Sequence, residues 1–180
     1  MRTRLVVIRH APTHAMGRCV GRTEVDVQVP PEEAARAVAA ACGVAPTIVW
    51  SSPQARCADP AAIAARLLGA THRIDARLSE IDYGVFEGRW WAELEREAPD
   101  ALARWMERWE HEGPPKGESA RAVEARVRAW WNELEAGDAL LVAHAGVARA
   151  LRVIVAGASW PDAMRVAIPH LAIDAVHVRG

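Results

Sequence analysis

Cysteine is scarce in this chain: Cys19, Cys42 and Cys57 are the only three among 180 residues. They are odd in number and form no CxxC or mixed Cys/His spacing, which argues against a disulfide framework and against a cysteine-ligated metal site. We therefore expect three reduced, buried thiols in a cytoplasmic protein, with no metal and no other cofactor.

The sequence also lacks long apolar runs and long blocks of one charge. The apolar run after Arg4 is too short for a signal-peptide core or a membrane span, and no later run is long enough. The formal net charge is −1 without a block of one sign, which argues against nucleic acid or an anionic membrane as a partner. We expect a soluble protein that is not exported and binds a small polar molecule; a homodimer is left open.

The sequence does contain an alternation of apolar strands and helical segments. With 180 residues, 51% of them apolar, the chain can bury one substantial core, so we expect one domain over residues 1–180. Strands alternating with helices predict a three-layer α/β/α sandwich around a mostly parallel sheet. The predicted strands cover residues 5–8, 47–50, 72–74, 139–143 and 172–178.

Capping residues predict where the helices begin and end. Pro30 and Pro31 start an alanine-rich helix that Gly43 ends at its C′ position. Ser52 as N-cap and Pro53 at the first helical position start a second helix that runs to about residue 68. Further helices are predicted at 90–112 with a break at Pro99, at 119–135 behind a Ser119 cap, and at 146–155.

Two predicted strands end in a histidine, and a third leads to an arginine. Arg9 and His10 follow the first strand, His144 follows the strand at 139–143, and Arg56 lies in the first turn of the second helix. Open parallel sheets bind ligands beyond the carboxyl ends of their strands. Two imidazoles and two guanidiniums there suit a phosphate dianion, to which helix N-termini add free backbone N–H groups. Taken singly, each residue is more often a structural histidine or a solvated arginine.

In this order the motifs resemble those of the histidine phosphatases of the phosphoglycerate mutase-like superfamily. The resemblance covers nearly the whole chain, and five motifs carry it: Arg9-His10, Ser51-Ser52-Pro53 with Arg56, Leu78-Ser79-Glu80 through Gly84 and Glu87-Gly88, Gly117-Glu118-Ser119, and His144-Ala145-Gly146. It implies that His10 is the nucleophile that becomes phosphohistidine and that Glu80 is the general acid. It also implies that Arg9, Arg56 and His144 hold the phosphoryl group.

Phosphoryl transfer needs a neutral nucleophile and positive charge around three oxygens. We expect Arg9, Arg56 and a protonated His144 to supply that charge. The same cations should lower the pKa of His10 and keep its imidazole neutral. A backbone carbonyl should hold one ring N–H of His10, so that the other nitrogen attacks.

The chain departs from the family in the long loop over residues 11–29, whose length is typical of functional loops. The family commonly has Gly-Glu-Thr after Arg-His and an asparagine three residues after the threonine. Here Ala11 and Pro12 precede Thr13, and Met16 holds the asparagine position, so one phosphate hydrogen bond of the family should be absent. Four residues are candidates for replacing this hydrogen bond, and two of them are arginines that are equally well explained as solvent-exposed charges of a loop. The candidates are Thr13, Arg18, Arg22 and Thr23.

The resemblance also implies a phosphoglycerate mutase-like fold with a small helical cap, which we place at residues 78–118 as a substrate-binding insertion. Prolines and glycines around Lys116 would let this segment close over a ligand. Glu118 would contact that ligand or only favour the following helix N-terminus. Ala145, at the start of the helix after His144, is a further candidate for phosphate binding.

The finer motifs point to a substrate. The chain is short and lacks the longer insertions of the mutases, so hydrolysis is expected. The runs at 80–91 and 114–119 look like those of the alpha-ribazole phosphatases of cobalamin nucleotide-loop assembly. Their substrate joins a ribose phosphate to a flat dimethylbenzimidazole, on which an indole would stack. The candidate indoles, each with core packing as its alternative, are Trp90, Trp91, Trp105 and Trp109.

Two kinds of alternative stay open. One is another enzyme of the same fold: a broad small-molecule phosphatase, a sugar phosphatase or a phosphoglycerate mutase. The other is a module that binds phosphate esters without turnover, because a fold alone does not guarantee activity.

Overall fold

Five strands form one sheet in the computed structural model, which describes residues 3–179. In chain order they are β1 (Thr3–Arg9), β2 (Ile48–Ser51), β3 (Thr71–Ile74), β4 (Asp138–Ala143) and β5 (Ile173–Arg179). Their order across the sheet is β3-β2-β4-β1-β5. The first four strands pair in parallel, and β5 pairs antiparallel to β1. The expected mostly parallel sheet is confirmed.

Seven α-helices connect or follow these strands within the described residues. They are α1 (Pro31–Ala41), α2 (Ala55–Leu68), α3 (Trp91–Glu97), α4 (Pro99–Arg108), α5 (Ala120–Glu133), α6 (Ala145–Ala156) and α7 (Trp160–Arg165). Helix α7 was not predicted; it is a single short helix that begins at Trp160 behind the N-cap Ser159, whose Oγ accepts the N–H of Asp162. Between residues 3 and 179, no helix is long and apolar enough to cross a membrane.

The two faces of the sheet carry separate helical layers. Leu5 and Val7 of β1 belong to the core that contains Trp130 of α5 and residues of α6. Val6 and Ile8 of the same strand belong to the core formed with α1 and α2. Because successive side chains of a strand point to opposite faces, one buried strand serves both cores. The three-layer α/β/α sandwich is confirmed.

A third, smaller apolar cluster lies apart from these two layers. It contains Cys19 from the first long loop with Phe86, Leu94 and Leu102, so it joins that loop to α3 and α4. All three cysteines are buried and unpaired, as expected. Burial raises the pKa of the Cys19 and Cys57 thiols to about 12, which keeps both protonated and unreactive at neutral pH.

The start of α2 differs from the prediction. Helix α2 begins at Ala55 behind Gln54, not at Pro53 behind Ser52. The hydroxyl of Ser52 is 2.8 Å from Nε2 of His144 and does not cap the helix. The Ala55 N–H instead donates to the carboxylate of Glu24, at 3.2 Å from either oxygen. An acidic side chain from the first loop therefore takes the position expected for a serine cap.

The backbone at Gly84 lies close to the turn at residues 113–117. Gly84 has φ of +55°, and a Cβ there would overlap the carbonyl of Pro115 and the amide of Gly117. Gly88 has a similar φ of +74°, but a Cβ on it would meet nothing within 4 Å. Both glycines therefore have a left-handed backbone conformation, but only at Gly84 would an added Cβ also clash with neighbouring backbone atoms.

We expect Gly84→Ala to destabilise the protein more than Gly88→Ala. Left-handed strain should cost each variant about 1 kcal/mol. The overlap with the backbone of residues 115–117 should cost Gly84→Ala about 1–3 kcal/mol more. Urea unfolding of both variants and the wild type measures the difference. Equal losses would mean that the turn at 113–117 moves away from Gly84 freely.

Candidate active site

A cavity of about 400 Å³ lies beyond the carboxyl ends of β1 and β4, which are neighbours in the sheet. Arg9 pairs with Ala143 at the ends of these strands, so His10 and His144 follow side by side. Their ring centroids are 5.1 Å apart. We call this the cationic cavity. The predicted site residues that line it are Arg9, His10, Thr13, Arg18, Arg56, Glu80 and His144.

His10 presents one ring nitrogen to this cavity as a free acceptor. Its Nδ1 lies 2.6 Å from the Ala11 carbonyl oxygen, and because a carbonyl only accepts, Nδ1 carries the proton. Nε2 therefore keeps its lone pair. Burial, then the charges of Arg56, His170 and Arg9, lower the pKa of His10 to about 3. The expected neutral imidazole is confirmed, with burial as a larger cause than the cations.

Arg56, which is buried, and Arg9, which is half-buried, line the cavity with His10 and have part of their donor capacity unused. Arg56 is 4% exposed, and it donates to the backbone carbonyls of Thr23 at 2.9 Å and Gly21 at 2.5 Å. Arg9 donates from Nη1 to the Ile168 carbonyl at 2.8 Å, and its buried Nε has no partner among the described residues. These contacts fix both guanidiniums and leave other N–H donors for an anion.

The positive charge that we expect on His144 is opposed by its surroundings. His144 is fully buried, and burial followed by the positive charges around it lowers its pKa well below the ordinary value. Its Nε2 lies 2.8 Å from Ser52 Oγ and 3.1 Å from Gln54 Oε1. His144 is therefore a neutral hydrogen-bonding group at neutral pH, and the two arginines supply the fixed positive charge.

Glu80 lies at the N-terminus of α6. Its carboxylate accepts the Gly146 N–H at 3.1 and 3.2 Å and the Ile81 N–H at 3.0 Å. A Cβ at Gly146 would overlap this carboxylate, so a larger residue there would displace the Glu80 side chain from its present position. Glu24 and Glu80 thus each take one of the N–H groups at the N-termini of α2 and α6 that we expect to be free for phosphate. Ala145, the first residue of α6, does not line the cavity.

Three other predicted binding residues have internal partners and do not line the cavity. Arg22 pairs with Glu118 at 3.0 Å, and Glu118 also binds Arg126 at 3.0 Å. Thr23 donates its hydroxyl to Glu87 at 2.7 Å. These side chains hold the first loop against residues 82–126.

Sequence reasoning assigned no role to three residues of this region. Glu87 accepts the backbone N–H groups of residues 21–23 and so fixes the turn that Arg56 holds from its other side. Gln28 and His170 line the cavity. His170 precedes β5, and because β5 is antiparallel its start lies at the edge where the parallel strands end. An antiparallel β5 would have predicted that His170 lies at the site, but the sequence does not indicate the direction of this strand.

A second cavity of about 530 Å³ meets the first at Glu80, which lines both. We call it the apolar cavity. Trp91, Trp105 and Trp109 line it, whereas Trp90 lies under Arg18, with the guanidinium 4.6 Å from its ring centroid. The remaining lining residues are Ile81, Tyr83, Glu95, Leu102, Met106, Ala120, Val123, Gly146, Arg149, Trp160 and Met164.

Comparison with known proteins finds one family along the chain. The family model described as the histidine phosphatase superfamily (branch 1) matches residues 5–180. The glucosyl-3-phosphoglycerate phosphatase of Mycobacterium tuberculosis is 30% identical over 178 residues, covering 88% of this chain and 78% of that protein.

Solved structures share the architecture. The alpha-ribazole phosphatase of Shigella flexneri superposes with a TM-score of 0.83 at 23% identity, covering 93% of this chain and 87% of that one. At this identity the likeness shows the fold, which confirms the expected phosphoglycerate mutase-like architecture. A mycobacterial glucosyl-3-phosphoglycerate phosphatase in complex with inorganic phosphate superposes with a TM-score of 0.76 at 29% identity, covering 88% and 83%.

We expect the buried histidines to make the stability of the protein depend on pH. An unfolded histidine has a pKa near 6.5, whereas His10 in the fold has a pKa of about 3. Between these values the unfolded state binds more protons, so the free energy of unfolding falls as the pH drops below 6.5. One such group contributes about 1.4 kcal/mol per pH unit. His144, with its lowered pKa, adds to this loss.

Urea unfolding between pH 4.5 and 7 of the wild type and His10→Asn tests this. The variant should lose stability less steeply with falling pH, by about one proton. Identical slopes would mean that folding does not change the protonation of His10.

Proposed function

Because this chain belongs to the histidine phosphatase superfamily, branch 1, over residues 5–180, we propose that its cationic cavity hydrolyses phosphate monoesters through a phosphohistidine formed on His10. The chain is a phosphatase of this superfamily, which acts on small phosphate esters. The observation that carries the proposal is the free Nε2 of His10, which the bond from Nδ1 to the Ala11 carbonyl leaves unprotonated in the cavity that Arg9 and Arg56 also line.

In the first step Nε2 of His10 attacks phosphorus. The P–N bond forms while the bond to the ester oxygen breaks, and the three remaining oxygens carry the charge of the transition state. Arg9 and Arg56 have N–H donors left for those oxygens. Because backbone carbonyls already hold both guanidiniums in place, little reorganisation is needed during the reaction.

Glu80 is proposed as the general acid and then the general base. It lies where the two cavities meet, so the ester oxygen between a bound phosphoryl group and its leaving group would be beside it. A protonated Glu80 would give its proton to the departing alkoxide. The resulting carboxylate would take a proton from the water that attacks phosphohistidine, which breaks the P–N bond and releases inorganic phosphate.

We propose alpha-ribazole 5′-phosphate as the substrate, with its flat base in the apolar cavity. That cavity has the size of small-molecule sites. The rings of Trp91 and Trp105 are stacked within it, with an interplanar angle of 7° and centroids 6.1 Å apart. An aromatic leaving group would bury its faces against such indoles. Most of these side chains come from residues 78–118, which supports that segment as the substrate-binding cap of a single-domain protein.

A second candidate substrate is a phosphate ester that carries a carboxylate, such as glucosyl-3-phosphoglycerate. Arg149 lines the apolar cavity, and its buried Nε has no partner among the described residues. A carboxylate could use that donor. The relative that is 30% identical bears the name of a phosphatase for this ester.

His10→Ala should abolish turnover and phosphoenzyme formation. The expected loss of kcat for p-nitrophenyl phosphate is on the order of a thousandfold or more, because the nucleophile itself is removed. Brief reaction with a ³²P-labelled ester and acid-quench analysis for phosphohistidine measures the intermediate. His14→Ala, in the same loop but outside the cavity, is the matched control and should retain both. A label that persists in His10→Ala would contradict the proposed nucleophile.

The substrate choice is tested by kcat/KM for alpha-ribazole 5′-phosphate, glucosyl-3-phosphoglycerate and p-nitrophenyl phosphate. We expect the first to be preferred, and Trp105→Leu to lower its kcat/KM about tenfold through lost aromatic contact. Arg149→Met should leave that substrate nearly unaffected. Preference for glucosyl-3-phosphoglycerate, lost in Arg149→Met, would replace the first candidate by the second.

A further inference from the structure

His170 is a third imidazole beside His10. It forms an isolated parallel bridge with Arg9, just before β5 begins, and it lines the cationic cavity. Its ring centroid is 5.3 Å from that of His10, on an edge contact with an interplanar angle of 62°. His170 lies outside the five motifs that carry the family resemblance.

The hydrogen bond of His170 fixes which of its nitrogens is free. Nδ1 lies 2.6 Å from the backbone carbonyl oxygen of His10, so Nδ1 carries the proton and donates it. Nε2 then keeps a lone pair, and among the described residues no side chain or backbone group forms a hydrogen bond with it. His170 and His10 therefore have the same tautomer, each held by a carbonyl of the strand end.

The surroundings of His170 oppose a positive charge on its ring. Its own burial and the charge of Arg9 lower its pKa, although the bond to His10 acts in the other direction. A dianion in the cavity would reverse this balance, since a nearby negative charge favours the protonated ring. The other charged or titratable groups that line the cavity are Arg9, His10, Arg18, Arg56, Glu80 and His144.

We propose that His170 is an additional oxyanion-binding residue, which takes up a proton at Nε2 when a dianion enters the cavity and then donates that N–H to it. The proposal rests on the proposed function only in placing the phosphoryl group in the cationic cavity. Arg9 and Arg56 give fixed charge, whereas His170 gives charge that depends on the ligand. Affinity for a dianion should therefore rise as the pH falls.

The test must separate this role from simple packing against His10. His170→Asn keeps an amide N–H that can reach the His10 carbonyl, and it removes Nε2. His170→Gln instead keeps a neutral donor near the position of Nε2. His14→Asn is the matched control because His14 is a loop histidine that does not line the cavity. Unfolding midpoints of the variants establish that each is folded.

Sulfate is the probe because it stays a dianion from pH 5.5 to 8. Titration calorimetry in two buffers of different ionisation enthalpy counts the protons taken up on binding. On binding sulfate at pH 6.5, wild type and His14→Asn should each take up as much as one proton more than His170→Asn does. We expect His170→Asn to bind sulfate on the order of tenfold more weakly at pH 6, with a smaller difference at pH 8. His170→Gln should lose the proton uptake but less of the affinity.

Nitrogen NMR of the wild-type imidazoles measures the protonation of His170 directly, without any substitution. Nε2 of His170 should be unprotonated at pH 6.5 without sulfate and protonated at saturation. A neutral His170 in the saturated protein, or unchanged proton uptake in folded His170→Asn, would overturn the inference. Neither result depends on turnover. If the protein showed no His10-dependent hydrolysis, the proposed function would be contradicted, but these two measurements would still test the role of His170.

Discussion

The parallel pairing of β1 with β4 is the constraint on which the whole site depends. The register that joins Arg9 to Ala143 places His10 and His144 at the same level of the sheet, and the His10 N–H donates to the Ala143 carbonyl at 3.0 Å. Parallel strands buried on both faces are held by their ladder and by two cores, so their ends move little. The reactive groups of the loops are positioned against this rigid edge.

Backbone groups and charged side chains satisfy one another around that edge before any ligand enters. Arg56 and Glu87 hold the turn at residues 21–23 from opposite sides, one through carbonyls and the other through N–H groups. Glu24 and Glu80 bind the N-termini of α2 and α6. Buried polar groups need such partners, and the result is a preorganised site in which the buried Nε of Arg9 has no partner among the described residues.

The two cavities divide the proposed reaction between them. The cationic cavity offers charge for a phosphoryl group, and the apolar cavity offers indoles for what is attached to it. Glu80 stands at their junction, which is where a proton must pass to the leaving oxygen and where water must later be activated. The substrate is thus proposed to be selected mainly by residues 78–118, at a distance from the histidines that carry the chemistry.

The sequence by itself determined the layered fold, the strand ends that bear Arg9, His10 and His144, and the helix turn that bears Arg56, because hydrophobic period and capping are local signals. It misplaced the start of α2, since the Ser52 hydroxyl is held by a histidine 92 residues away. The sequence also led us to expect a positive charge on His144, whose pKa is lowered by its burial. Only the tertiary structure decided that β5 runs antiparallel and brings His170 to the site. Burial, strand direction and partners distant in sequence depend on the assembled chain, and no local pattern encodes them.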